Sequence, residues 1–295
     1  MLPNTRGRRR RWPASSATTR LGRCAMPKGM FVDTSICIGC KACQVACKEW
    51  NELGGEPEDF REVEGRLKAV NFTGNSYDNT GRLTATNWRH VRFIERGSSL
   101  EGNMAWYMMS DSCKHCAQAG CLEVCPTHAL RRTDLGNVVV DQDVCNGCRA
   151  CVAACPFGVI SYNKQTGRVN KCTLCDDRIS QGLETACAKA CPTDSIVFGE
   201  VDELRVSARQ RVETLKSLGH TKAQLYGDTD VLGGLNVFYL LLDDPEVYGQ
   251  PVNPQLPQRN LVSGSLWSIG SALVLGLSAL IAFRSRRNGV TAKEA

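Results

Sequence analysis

From Leu261 to Phe283 the chain reads LVSGSLWSIGSALVLGLSALIAF, 23 residues without a charge. As a helix this run is about 34 Å long, enough to cross a bilayer with some tilt. Gly264, Gly270, Gly276, Ser268, Ser271 and Ser278 permit close approach of another helix. Trp267 lies near one end, where aromatic belts form, and Arg284, Arg286 and Arg287 close the other. A buried helix of a soluble core is the competing reading, but the run is longer than such segments usually are. Shorter periods mark the rest of the chain. Residues 201–218 place Leu204, Val212, Leu215 and Leu218 on one face of a helix that stops at Gly219. Residues 236–242 (NVFYLLL) and 86–95 (TNWRHVRFIE) are rich in β-formers and predict strands. Pro245, Pro251, Pro254 and Pro257 predict an extended strap over 245–260, between the body and the apolar run.

Charge separates the ends from the middle. The formal net charge is +6, yet residues 1–25 hold seven arginines and no acid. Residues 284–295 add four basic residues against one acidic, a basic tail. The remainder, 25 basic against 29 acidic residues, carries −4, which is no footprint of a nucleic-acid binder. Trp12–Thr19 is too polar for the apolar core of a signal peptide, so residues 1–25 read as a disordered extension or as a start assigned too early, with Met26 or Met30 as the true start. A basic interaction arm is the alternative.

Cysteine is the unusual component. Of 17 cysteines, 16 fall between Cys37 and Cys191 in four groups, and Cys24 stands apart without a partner set. The groups are Cys37-x2-Cys40-x2-Cys43-x3-Cys47, Cys113-x2-Cys116-x4-Cys121-x3-Cys125, Cys145-x2-Cys148-x2-Cys151-x3-Cys155 and Cys172-x2-Cys175-x11-Cys187-x3-Cys191. The last three end in Cys-Pro. A cubane needs four thiolates around one small body. Three cysteines at x2 spacing converge on it, while the fourth, three positions on, starts to point away and in two-cluster ferredoxins serves the neighbouring cluster. Gly39 and Gly147, each before a second cysteine, let the backbone turn close to a cluster. Ile36, Ile38, Val144 and Ile160 are expected to shield it from water. Zinc sites need no third cysteine at this spacing, and disulfide frameworks belong to small secreted domains. His115, between Cys113 and Cys116, is expected to be a satisfied, exposed histidine rather than a ligand of the Rieske kind. There is no nucleophile–base pair, phosphate loop or dinucleotide fingerprint, so no catalytic residue is assigned.

ICIGCKACQVACKEWN, CKHC with CLEVCP, VCNGCRACVAACPFGVI and KCTLC with CAKACP together resemble the iron–sulfur β subunit of respiratory formate dehydrogenases. The resemblance covers most of residues 30–283. The cluster motifs alone are shared with electron-transfer subunits of dimethyl sulfoxide, polysulfide and nitrate reductases and of some hydrogenases; the long segment 48–112, the strap and the apolar run favour formate dehydrogenase. The resemblance implies an α+β fold of two ferredoxin-like halves over 26–244, carrying four [4Fe–4S] clusters and followed by one C-terminal transmembrane helix. It also implies crossed ligand sets. One cluster takes Cys37, Cys40, Cys43 and Cys191, and its neighbour takes Cys172, Cys175, Cys187 and Cys47. In the other half, one takes Cys113, Cys116, Cys121 and Cys155, and the last takes Cys145, Cys148, Cys151 and Cys125. Related nitrate reductase subunits place Trp at one ligand position, whereas all sixteen are Cys here, so no [3Fe–4S] cluster is expected. The implied partners are a molybdopterin-containing catalytic α subunit, a membrane cytochrome b γ subunit and quinone. Arg259 precedes the apolar run, and Arg284, Arg286, Arg287 and Lys293 follow it. Basic residues beside a span stay in the cytoplasm. A cytoplasmic tail and an outward, periplasmic cluster body are therefore expected.

Overall fold

The computed structural model describes residues 26–55, 60–63, 66–69, 77–78, 80–97, 104–257 and 261–291. The N-terminal arm with Cys24, the strap's last residues with Arg259, and the final four residues lie outside this set. Strand β1 (Lys28–Asp33) leads to the first cysteine loop and helix α1 (Ala42–Trp50). Two hairpins follow, β2–β3 (Phe60–Val63, Arg66–Ala69) and β4–β5 (Arg89–Arg96, Ala105–Ser112). Next come α2 (Gly120–Glu123), hairpin β6–β7 (Leu130–Arg132, Val138–Val140), α3 (Ala150–Ala154) and hairpin β8–β9 (Ser161–Asn163, Arg168–Asn170). The chain closes with α4 (Asp176–Ile179), α5 (Ala186–Lys189), β10 (Ile196–Glu200), α6 (Val201–Ser217), β11 (Gln224–Tyr226), β12 (Val237–Leu241) and α7 (Leu261–Thr291).

A four-stranded sheet, ordered β10-β1-β12-β11, ties the two ends of the body together. β1 pairs antiparallel with β10 and parallel with β12. Every residue of β12 is buried, which explains why NVFYLLL is unbroken rather than alternating: both its faces are covered. α6 packs on β1 and β10. Val201, Leu204, Ala208, Val212 and Leu215 form its buried stripe, at the three- and four-residue steps of an amphipathic helix. The strand expected at 86–95 starts later, at Arg89. Thr84 Oγ1 takes the backbone N–H groups of Thr86 and Asn87, so a turn precedes it.

Two cores result. One gathers β1, β12 and α6 and includes Cys43 and Cys187. The other is built from Ala129, Leu130, Val138, Val159, Ile160 and Val169 around Cys113, Cys125, Cys151 and Cys172. The strap departs from its expected extended form. Pro245–Tyr248 is one 3-10 turn, Tyr248 and Leu256 are buried, and Tyr226 Oη donates to the Pro251 carbonyl at 2.6 Å. Aromatic and apolar residues among the prolines pull it onto the body. In α7, residues Ser265–Arg284 have a mean hydropathy of 2.0, and none of that stretch is buried. The helix is long and apolar enough to cross a membrane.

Candidate metal centre

Sheet topology sorts the cysteines. Val32 at the end of β1 pairs with Ile196 at the start of β10. The loop after β1 carries Cys37 and Cys40, and Cys191 lies just before β10, so the first and last groups meet. α1, with Cys43 and Cys47, packs on α5, with Cys187; α2, with Cys121, packs on α3, with Cys151. The Cys37 thiol is in electrostatic reach of Cys191 and Cys40. Cys37, Cys40, Cys43 and Cys191 together line one open pocket. The Cys47 thiol is in electrostatic reach of Cys172, Cys187 and Cys175. Cys116 is grouped with Cys113, Cys155 and Cys121, and Cys151 with Cys125, Cys145 and Cys148.

The four loops share a backbone device. The residue before the second cysteine has a left-handed conformation in each: Gly39 (φ 66°), His115 (φ 47°), Gly147 (φ 71°) and Leu174 (φ 60°). Only glycine adopts this without cost, so the same turn at His115 and Leu174 is held against a steric penalty. At Gly147 the requirement is also spatial, because a Cβ there would lie 2.0 Å from the Gly167 carbonyl oxygen. His115 is buried, not exposed as expected; its Nδ1 accepts from the Val138 N–H at 2.9 Å. Burial, with Lys171 and Arg132 nearby, pushes it well below the usual histidine range, so the ring is neutral.

All sixteen described cysteines are free. Burial pushes the thiols up: Cys43, Cys151 and Cys172 to about 11, Cys121 and Cys175 to about 12. Crowding by neighbouring thiols adds to the rise at Cys121 and Cys175. Such groups become thiolates at neutral pH only on a strongly cationic centre. Among the described residues, no three His, Cys, Asp or Glu side chains close on a single ion. Sixteen thiols in four sequence groups suit multi-iron bodies with exclusively soft sulfur ligands. The chemistry and spacing of the donor set thus fit [4Fe–4S] clusters. Cys43 Sγ lies 3.1 Å from Ser110 Oγ, and Asn51 Nδ2 donates to Cys47 Sγ at 3.7 Å. Cys125 is held below the usual thiol range. Burial opposes this, but the backbone N–H groups of Leu130, Thr127 and Ala129 and the Thr127 hydroxyl outweigh it.

Shielding differs from expectation. Ile160 is buried, but Ile38 is 57% and Val144 46% exposed, and Cys40 and Cys148 are exposed beside them. The first and third loops run across the surface, so each half has one open edge. Sequence reasoning also missed four buried cations, Arg89, Lys114, Lys171 and Arg178. Lys114 and Lys171 directly adjoin Cys113 and Cys172, which was a usable signal. Lys114 pairs with Asp111 and donates to Tyr239 Oη at 3.0 Å. Arg89, inside a strand motif, gives none.

Taken together, sixteen thiols in four sequence groups, set in and around two apolar cores, define an iron–sulfur electron-transfer protein built from dicluster domains. The 4Fe-4S dicluster domain family matches residues 36–129 and again residues 104–201. Four [4Fe–4S] clusters are the cofactors. The chain is 41% identical to the iron–sulfur subunit of the nitrate-inducible formate dehydrogenase of Escherichia coli K12, over 85% of this chain and 80% of that protein. It is also 41% identical to the formate dehydrogenase iron–sulfur subunit of Haemophilus influenzae, over 80% and 71%. One polypeptide of the anaerobic dimethyl sulfoxide reductase of Escherichia coli K12 is 37% identical over 60% of this chain and 75% of that protein. The chain belongs to the family of formate dehydrogenase iron–sulfur subunits.

Proposed function

We propose that this chain relays electrons from a molybdopterin-containing subunit that oxidises formate to a membrane cytochrome b that reduces quinone. Similarity over 85% of the chain to a formate dehydrogenase iron–sulfur subunit carries this reading; the likeness to the dimethyl sulfoxide reductase polypeptide stops at 60%. The proposed ligand sets are Cys37, Cys40, Cys43 and Cys191; Cys172, Cys175, Cys187 and Cys47; Cys113, Cys116, Cys121 and Cys155; and Cys145, Cys148, Cys151 and Cys125. Their support is the proximity of the thiols within each set. The clusters supply acceptance and release of single electrons. The chain's own residues fix the sulfurs, exclude water and set the surrounding charge. The open edges at Cys40 and Cys148, one in each half, are where partners approach. Without such partners the chain turns over no substrate. α7 anchors it in the cell membrane as a single span, with the basic tail in the cytoplasm and the body outside.

Anaerobic addition of formate to the complex purified with its partners tests this. All four clusters are expected to be reduced, as read by electron paramagnetic resonance. Clusters that dithionite reduces and formate leaves oxidised would overturn the assignment of donor.

A further inference from the structure

Arg89 starts β4 and is 1% exposed. Its Nη1 donates to Ser110 Oγ at 2.9 Å, and its Nη2 to Ser112 Oγ at 3.1 Å and Met30 Sδ at 3.6 Å. Nε has no partner. Among the described residues no carboxylate lies within ion-pair distance of it, and a guanidinium does not give up its proton. A buried charge needs an opposite one. The groups that face this one are thiols of two different sets: Cys43 in one, and Cys187, Cys172 and Cys47 in the other. Two short routes connect them. Ser110 Oγ accepts from Arg89, which leaves its own hydroxyl proton for Cys43 Sγ, 3.1 Å away. Met30 Sδ, which accepts from Nη2, lies 3.6 Å from Cys187 Sγ.

We propose that Arg89 is the shared counter-charge of the two clusters held by the first and fourth cysteine groups, and that it raises the reduction potentials of both. The inference rests on the ligand sets proposed above. Taking up one electron adds one negative charge, and a fixed cation in a poorly polarisable interior favours the reduced form. The electron comes from the catalytic partner, and Arg89 stays protonated throughout. It is a positioning and tuning residue, with no chemical step of its own.

Redox titration of the intact complex, followed by electron paramagnetic resonance, tests this. In Arg89→Gln, two of the four clusters are expected to become about tenfold harder to reduce. That corresponds to a drop of about 59 mV each for one electron. The other two stay at their wild-type values. Four unchanged potentials, or an equal shift in all four, would overturn the proposal. Should Arg89→Gln lose iron, Ser110→Ala decides. It keeps the cation and removes only the hydroxyl between it and Cys43, so both potentials should move far less than tenfold; a tenfold fall in either would show that the hydroxyl and not the charge sets it, and would overturn the proposal. The ligand sets are checked separately with Cys47→Ser. This variant should perturb the cluster of Cys172, Cys175 and Cys187. Perturbation of the cluster of Cys37, Cys40 and Cys43 instead would refute the grouping, whatever Arg89→Gln does.

Discussion

Asp111 and Lys114 form an ion pair closed off from water. Lys114 Nζ also lies 4.5 Å above the Tyr239 ring, and Arg92 Nε reaches Asp111 Oδ2 at 3.1 Å. Removing one partner of such a pair strands the other charge, which costs more than the pair itself contributes. Asp111→Asn is therefore expected to destabilise the fold by about 3–5 kcal/mol at neutral pH. Anaerobic denaturant unfolding of the variant measures it; a loss under about 1 kcal/mol would mean that Lys114 finds another counter-charge. The cysteines offer a sharper test at single residues. Cys155 belongs by sequence to the third loop, yet its thiol is in electrostatic reach of Cys113. Cys155→Ala is expected to damage the cluster of Cys113, Cys116 and Cys121 and to spare that of Cys145, Cys148 and Cys151. Spectroscopic loss of the latter would contradict the crossed sets.

The repeated loops show how local rules and tertiary demands divide the work. Gly39 and Gly147 announce their left-handed turns in the sequence, because glycine alone takes them freely. His115 and Leu174 adopt the same turn without announcing it, since burial of both side chains in the packed body compensates the strain. α6 and β12 were legible from period and composition, as were the sixteen thiols; Leu218, expected on the apolar face of α6, instead lies past its end and is exposed. The pairing of Met30 with Val237, 207 positions apart, was not legible, because nothing local encodes which buried strand lies beside which. Arg89 was hidden for the same reason: the thiols around it come from the first and fourth cysteine groups, far apart in the sequence. Two glycines separate the effects of backbone and space. Gly147→Ala meets the Gly167 carbonyl and should lower iron content by about one cluster's worth. Gly158→Ala, at φ 61° with open space around it, should cost only about 1–2 kcal/mol and keep full iron content. Equal iron loss in both would show that φ alone controls these loops.

The whole molecule combines a cluster body with a helix that buries none of its stretch from Ser265 to Arg284. Deleting residues 261–291 is expected to leave the body folded and to release it from membranes, because no described part of α7 from Ser265 to Arg284 contributes to either core. Protease added to intact spheroplasts reports sidedness. The proposed orientation predicts digestion of the body from outside and a protected tail. A body that survives until the membrane is breached, with a tail already cleaved, reverses it. Both outcomes leave the central claim standing, which is that four sets of four thiols each hold one cubane. Iron and acid-labile sulfide measured per chain after anaerobic purification test that claim most directly. The account predicts about sixteen of each, four per set; about eight iron, or zinc in stoichiometric amount, would contradict it.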